Sequence, residues 1–164
     1  MSSDSFPLLT GLAPVIRHDA ERLILGSFPG AASLAAAQYY AHPRNQFWRL
    51  LSVVLDEDLV TLPYAARLER VMASQIGLWD VIDTCERKGS LDAAIRRAQP
   101  VDFSRLRDAY PALRKIIFNG KTAGKYAPYF AEVGFSTLVL PSSSPANAQL
   151  SFEQKRVQWR ALTD

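Results

Sequence analysis

Short apolar runs recur along this chain and are separated by stretches whose apolar residues have helical spacing. The run at Leu23–Leu25 is continuously apolar, as in a strand that is covered on both faces. Runs of this kind predict strands at residues 22–25, 77–82, 115–118 and 135–140. Because helical segments separate them, the strands are expected to form a parallel sheet with helices on both faces. The pattern therefore predicts an α/β fold, a three-layer α/β/α sandwich with a central four-stranded parallel sheet.

The helices are predicted from apolar spacing and from residues that favour helix ends. Phe47, Leu51 and Val54 share one helical face, and Ser151 with Gln154 matches a capping box. The predicted helices cover residues 31–37, a segment from about 46, 63–74, 90–98, a segment after 102 that ends before 111, 122–131 and a segment after 151. Residues 11–16 are expected to lie against a sheet edge. No linker or repeat interrupts the pattern, so residues 1–164 are expected to form a single domain.

Composition narrows the class of protein without naming a reaction. The chain has 164 residues, a net charge of +3 and one cysteine, Cys85. A single cysteine excludes an internal disulfide and a metal site built on a cysteine cluster, and Cys85 is expected to serve core packing. No apolar run has the length of a membrane span, and the first residues lack a secretory pattern. We therefore expect a cytoplasmic location.

Each predicted strand is followed by a polar or glycine-rich loop. These loops cover residues 26–30, 80–84, 119–121 and 141–148. The carboxyl ends of parallel strands meet at one edge, which is where open α/β sheets bind ligands. The only histidine candidate for this edge is His42, and the loops lack both a dinucleotide fingerprint and a nucleophile elbow. The sequence thus predicts a site at this edge that has few of the common catalytic groups.

Four motifs in order resemble the uracil-DNA glycosylase superfamily. They are GSFPG, AQYYAHPRNQFW, GLWDV and LPSSSPANA, which together span residues 26–148. The similarity is closest to the hypoxanthine-DNA glycosylase branch. It implies a monomer without cofactor or metal that hydrolyses the N-glycosidic bond of a deaminated base in DNA, with hypoxanthine favoured. Two alternatives are a uracil or mixed-specificity glycosylase and a DNA-binding module that has lost catalysis.

The resemblance implies two catalytic residues. Better-known branches place an Asp or Asn, which positions the attacking water, where this chain has Phe28. We therefore expect Asn45 to position the water, although it could merely cap the following helix. Ser142 stands where the best-known branch has a histidine that stabilises charge on the leaving base, and a hydroxyl can donate only a weaker hydrogen bond.

The same resemblance assigns residues that hold the base. Tyr40 is expected to stack on the extruded base; its alternatives are a core position or replacement by Tyr39. Asp80 could accept a hydrogen bond from the N1–H group of hypoxanthine, or could instead serve as a helix cap or ion-pair partner. The other predicted base-binding residues are Gly26, Ser27 and Phe28.

A last group is expected to contact the DNA around the lesion. The candidates are His42, Ser143, Ser144, Pro145 and Asn147, since hydroxyls, amides and backbone N–H groups bind phosphates. The segment 147–150 could also supply the side chain that fills the gap left by the base. The alternatives are an orienting role for His42 and a plain loop for the others.

Overall fold

The computed structural model describes residues 6–164, so residues 1–5 of the predicted single domain lie outside the described part. The strands are β1 (Leu8–Thr10), β2 (Arg22–Gly26), β3 (Ile76–Asp80), β4 (Ile82–Glu86), β5 (Arg96–Pro100), β6 (Lys115–Asn119) and β7 (Ser136–Leu140). The helices are α1 (Ala31–Ala36), α2 (Phe47–Leu55), α3 (Tyr64–Ala73), α4 (Leu106–Ala109), α5 (Lys121–Gly124), α6 (Ala127–Glu132) and α7 (Phe152–Trp159). Short 3-10 turns cover Asp92–Ala94 and Arg160–Thr163.

The central sheet has four parallel strands in the order β3-β2-β6-β7. In β2, Leu23 and Leu25 pack into one apolar cluster with residues of α4, α5 and α6. The intervening Ile24 packs into the opposite cluster, with residues of α2, α3 and α7. Alternate side chains of a strand point to opposite faces of the sheet, so both faces are covered by helices. The predicted three-layer α/β/α sandwich is confirmed.

The segment before β2 also lies where it was expected. Val15 forms an isolated antiparallel bridge with Leu78 of β3, which is an edge strand of the parallel sheet. The bridge gives the outer side of β3 backbone hydrogen bonds that an edge strand would otherwise lack. Cys85 is fully buried in the core, as expected from a packing role.

A second sheet was not predicted from the sequence. It contains three antiparallel strands in the order β1-β4-β5. The helix predicted over residues 90–98 is wrong: this region holds a single 3-10 turn, Asp92–Ala94, and the start of β5. Local propensity favours a helix here, but an isolated short helix is marginal in water, whereas pairing with β4 satisfies the backbone. Ser90 does not cap a helix; its Oγ accepts a hydrogen bond from the Ala31 amide.

The helix predicted over residues 122–131 is interrupted. It forms as α5 and α6, with Tyr126 between them as the N-cap residue of the second helix. Pro128 lies in the first turn of α6 and has no N–H group, so a continuous helix would lack a hydrogen bond there. The predicted capping box at Ser151 and Gln154 is present at the start of α7.

Candidate active site

A cleft of about 710 Å³ lies at the carboxyl edge of the parallel sheet. Most of its lining residues lie at the ends of β2, β3 and β6 or in the loops after β2, β6 and β7, as the parallel order predicts, and three come from the segment between β4 and β5. This volume is in the range of small-molecule sites and is large enough for a purine. All twelve predicted site residues line the cleft: Gly26, Ser27, Phe28, Tyr40, His42, Asn45, Asp80, Ser142, Ser143, Ser144, Pro145 and Asn147.

The inner end of the cleft is formed by Gly26, Asp80 and Tyr40. Gly26 and Asp80 are paired residues at the ends of β2 and β3. A Cβ atom on Gly26 would lie 2.5 Å from Asp80 Oδ1 and 3.1 Å from the Tyr40 hydroxyl. Only glycine leaves room for both polar groups at this point. Asp80 Oδ2 and the Tyr40 hydroxyl are buried and have no hydrogen-bond partner among residues 6–164.

Burial changes the protonation of these two groups. Burial, together with the smaller effect of the nearby Asp92 carboxylate, raises the pKa of Asp80 to about 7. Burial likewise raises the pKa of Tyr40 well above its ordinary value, so the phenol keeps its proton. Near neutral pH, the Asp80 carboxyl is therefore present in both forms. It can accept a hydrogen bond when ionised and donate one when protonated.

Tyr40 is held in place by aromatic packing. Its φ of 56° is in the left-handed region, and its ring stacks on Phe47 with 3.8 Å between centroids and 19° between planes. Phe47 is the first residue of α2, so the start of this helix supports the tyrosine. Tyr39, the alternative, is 3% exposed and donates its hydroxyl proton to the Ala13 carbonyl. Core packing therefore occupies Tyr39 and leaves Tyr40 as the candidate.

Asn45 lies just before α2, whose N-cap residue is Gln46. Its Oδ1 accepts a 2.9 Å hydrogen bond from the amide of Phe47, the first residue of the helix, so Asn45 caps one free N–H group of α2 although it is not the N-cap residue. A carboxamide oxygen has a second acceptor site, and its NH₂ group has two donors. The cap therefore orients the side chain without using all of its hydrogen-bonding capacity. His42 is oriented in a similar way, because its Nδ1 accepts from the Arg44 amide.

The loop after β7 is a turn rich in serines, residues 142–147, which we call the serine turn. Ser142 Oγ accepts from the Ser144 amide and Ser144 Oγ accepts from the Ala146 amide. Asn147 donates from its side chain to the Ser142 carbonyl. The hydroxyls thus brace their own loop as acceptors. The hydroxyl proton of Ser142 remains able to donate, as its predicted role requires.

Ser143 has a different environment from the one expected of a DNA contact. It is 1% exposed, its amide donates to Asn119 Oδ1, and its Oγ accepts from Asn119 Nδ2, both at 2.9 Å. Its carbonyl accepts from the Gln46 amide. At 1% exposure, the Ser143 side chain has almost no surface that a phosphate could contact. The residue instead ties the serine turn to β6 and to the start of α2.

Asn119 is a site residue that sequence reasoning did not single out. It ends β6 and lines the cleft, and both polar atoms of its side chain bind Ser143. Its position directly after a predicted strand was the available signal. The loop 119–121 was predicted to lie at the site edge, but Asn119 was given no role of its own, because its partner lies 24 positions away in the sequence.

The glycine-rich loop after β2 is tied to the segment between β4 and β5. Ser27 donates a 2.7 Å hydrogen bond to Asp92, and Arg87 donates one of the same length to the Pro29 carbonyl. Phe28 is only 6% exposed; its ring packs in the core, with the Arg87 guanidinium 5.3 Å from its centroid. Its expected base contact is therefore limited to the small part of the residue that reaches the cleft. Asp92 was missed because the wrongly predicted helix over residues 90–98 covered it, and Arg87 was missed because its partner, Pro29, lies 58 positions away in the sequence.

Within residues 6–164, no three His, Cys, Asp or Glu side chains are grouped so that they could hold a metal ion. None of the helices in this part of the chain is both long enough and apolar enough to cross a membrane.

A parallel α/β sheet with a cleft at its carboxyl edge is the architecture of a ligand-binding α/β protein. The comparison with protein families identifies the superfamily. The model of the uracil DNA glycosylase superfamily matches residues 13–163, so the chain belongs to that superfamily. The predicted resemblance is confirmed. The curated relatives include proteins named hypoxanthine DNA glycosylase from two archaea. The one from Methanosarcina barkeri is 43% identical, with 91% of this chain and 94% of the relative covered. The one from Methanosarcina acetivorans is 41% identical, with 93% and 96% covered.

A solved structure shares the fold. The solution NMR structure of a candidate uracil DNA glycosylase from Methanosarcina acetivorans superposes with a TM-score of 0.85 and 38% sequence identity. The match covers 96% of this chain and all of the other.

Proposed function

We propose that this protein is a monomeric, single-domain cytoplasmic DNA glycosylase that removes hypoxanthine from DNA. The observation that carries the proposal is the pair of buried, unpartnered polar groups at the inner end of the cleft, Asp80 Oδ2 and the Tyr40 hydroxyl. A buried polar atom without a partner is costly unless a ligand supplies one. The cleft has room for a purine, and hypoxanthine offers both an N–H donor and a carbonyl acceptor. The names of the two archaeal relatives support the same choice of base.

The base enters the cleft by leaving the DNA stack, because its glycosidic bond cannot be reached inside a duplex. Asp80, when ionised, accepts from the N1–H group of hypoxanthine. The Tyr40 hydroxyl, which stays protonated, donates to an acceptor on the base edge. The Tyr40 ring, supported by Phe47, provides an aromatic surface at the site.

The reaction replaces the bond between C1′ and the base with a bond from C1′ to the oxygen of water. The electrons of the broken bond leave with the base, and the sugar passes through a cation-like state. Asn45 accepts a hydrogen bond from the attacking water through the free acceptor site of its Oδ1, while the cap fixes its orientation. Ser142 donates to the departing base as negative charge develops on it. The water loses one proton and the departing base gains one, so that the products are an abasic sugar and a neutral base.

DNA contacts follow from the surroundings of the cleft. The exposed Pro145 and the partly exposed Ser144 and Asn147 lie on the outer part of the serine turn. The backbone N–H groups and polar side chains of this turn, together with His42, are the phosphate-binding groups we propose. Ser143 contributes by holding the turn through Asn119.

Excision from a panel of DNA duplexes tests the proposal. Duplexes carrying inosine, uracil or xanthine are incubated with the protein and then cleaved at abasic sites with alkali. We expect strand scission at inosine above the other lesions. Scission mainly at uracil would indicate a uracil or mixed-specificity enzyme instead. Binding without scission at any lesion would indicate a DNA-binding module and would overturn the proposed activity.

A further inference from the structure

The segment between β4 and β5, residues 87–95, borders the cleft from the side opposite to the serine turn. It follows β3 and β4, and β3 is one edge of the parallel sheet, whereas the serine turn follows β7 at the other edge. Ser90, Leu91 and Asp92 of this segment line the cleft. The two boundaries therefore face each other across the space that would receive a base.

Three hydrogen bonds hold this segment to the glycine-rich loop. Arg87 Nη2 donates to the Pro29 carbonyl at 2.7 Å, and the Ala31 amide donates to Ser90 Oγ at 2.9 Å. Ser27 Oγ donates to Asp92 Oδ1 at 2.7 Å. Leu91 lies between the last two anchors, so its backbone is fixed although its side chain is not packed.

Leu91 is 60% exposed, which makes it one of the most exposed large apolar side chains among residues 6–164. Hydrogen bonds through the side chains on both sides of an exposed leucine are not needed for the core. They do hold an apolar side chain at the mouth of the cleft. Such a side chain is suited to insertion between bases, as in proteins that wedge apolar residues into a base stack.

The charged side chains around Leu91 favour binding of a polyanion. Residues 86–97 contain four basic and two acidic side chains. Lys88 is exposed, and the Arg97 side chain is 83% exposed with only a 3.4 Å contact to Glu86. One of the acidic residues, Asp92, is occupied by Ser27. The segment therefore presents an apolar tip flanked by cations, which fits nucleic acid with its bases and phosphates.

Resting on the proposed function, we propose that residues 87–95 with Arg97 form a second DNA-contacting element of this enzyme. Leu91 packs into the base stack at the gap left by the extruded nucleotide, and Lys88 and Arg97 contact phosphates beside it. A gap of this kind exists in duplex DNA and not in a single strand. Leu91 is therefore required for duplex substrates alone.

Single-turnover excision from matched inosine substrates tests this. With Leu91→Ala, the rate on duplex DNA should fall about tenfold or more, from the order of magnitude of an unstacking step, while the rate on single-stranded DNA stays unchanged. Val133→Ala is the control, because Val133 is an exposed apolar residue that precedes β7, at the far edge of the sheet. Equal rates of Leu91→Ala and the parent on duplex DNA would overturn the proposal, as would an equal loss on both substrates. A duplex-specific loss in Leu150→Ala, with none in Leu91→Ala, would show that the gap in the base stack is filled from the side of the serine turn.

Binding measurements test the inference independently of base removal. With 2-aminopurine next to inosine, the parent should increase the fluorescence by unstacking the probe, and Leu91→Ala should not. Lys88→Ala and Arg97→Ala should each lower the slope of log Kd against log salt by about one, whereas Arg70→Ala, on α3, should not. A parent that binds and unstacks the probe but excises no base would refute the proposed activity and support the contact. Unchanged fluorescence and slopes in the variants would refute the contact.

Discussion

Gly26, Asp80 and Asn45 each have a local environment that limits which side chain can stand there. At Gly26 there is no space for a larger side chain. Asp80 Oδ2 is buried and has no partner among residues 6–164, and Asn45 Oδ1 accepts the hydrogen bond from the first residue of α2. Substitutions at these positions change one contact at a time. They are therefore the sharpest tests of the proposed chemistry.

We expect Asn45→Ala to lower the rate of the chemical step by roughly 100-fold or more, the usual size of losing a preorganised polar group. Loss of the cap should also lower stability by about 0.5–2 kcal/mol. Single-turnover excision and thermal unfolding measure the two effects separately.

Asn45→Ser separates capping from catalysis. Serine is a good cap, so this variant should retain stability, but its hydroxyl cannot reproduce the reach of the carboxamide. A normal excision rate in either variant would remove Asn45 from the mechanism and leave it only as a helix cap.

At Gly26, a single methyl group should be enough to disrupt the base site. The new Cβ would lie 2.5 Å from Asp80 Oδ1, closer than real contacts allow, so the carboxyl group must move. We expect Gly26→Ala to lower excision on the order of 100-fold, since small misplacements of site groups have effects of this size. Gly30→Ala is the control, because its nearest neighbour, Ser90 Oγ, would be 3.5 Å from the new Cβ. Equal activity of both variants would show that the Asp80 position is not required.

At the scale of elements, the site depends on links between loops that follow different strands. Asn119 joins β6 to the serine turn, and the Ser143 carbonyl joins this turn to the Gln46 amide, before α2. Lys155 of α7 donates to Gln46 Oε1 at 2.9 Å and is 1% exposed. These links place Asn45 and Ser142 relative to each other, although neither residue makes them itself.

We expect Asn119→Ala to weaken both stability and activity. It removes two hydrogen bonds and leaves the Ser143 amide and hydroxyl buried without partners, which should lower the free energy of unfolding by about 2–4 kcal/mol. Excision should fall because the serine turn is no longer fixed. Denaturant unfolding and excision below the melting range measure the two effects.

Asn147→Ala is the comparison for Asn119→Ala, because it removes only a 3.2 Å hydrogen bond within the serine turn. Its loss of stability should be clearly smaller. Equal losses in the two variants would contradict a special role for Asn119.

For the whole molecule, the buried Asp80 should make stability depend on pH. Its pKa is about 7 in the folded protein, against 3.8 for an ordinary Asp, because burial disfavours the carboxylate. The folded state therefore binds a proton more tightly than the unfolded chain between these values. This contribution to stability is fully present below the unfolded pKa and is lost as the pH rises through 7.

The free energy of unfolding should fall by on the order of 2 kcal/mol more in the parent than in Asp80→Asn between pH 5 and pH 8. An amide at this position cannot ionise, so the variant lacks this contribution. Denaturant unfolding at both pH values provides the measurement. Parallel pH profiles would show that Asp80 ionises as it does in water.

The sequence by itself determined the parallel sheet, its two covered faces and the edge that carries the site. The continuous apolar run Leu23–Leu25 is typical of a strand covered on both faces, and its side chains alternate between two apolar clusters. The cap at Ser151 was equally readable, since its partner lies three residues away. The motifs placed every candidate residue at the cleft, because each motif contains or follows the carboxyl end of a strand of the same sheet.

Only the tertiary structure decided which polar side chains at the site are engaged in hydrogen bonds within the protein. Residues 96–100 form β5 because β4 supplies hydrogen-bond partners that local propensity does not include. Asn119 pairs with Ser143, Ser27 with Asp92 and Arg87 with Pro29, all between residues distant in sequence. The raised pKa of Asp80 likewise depends on burial by other segments. Contacts between residues far apart in the chain have no local signal, so hydrogen bonding and charge at this site become visible only in the folded molecule.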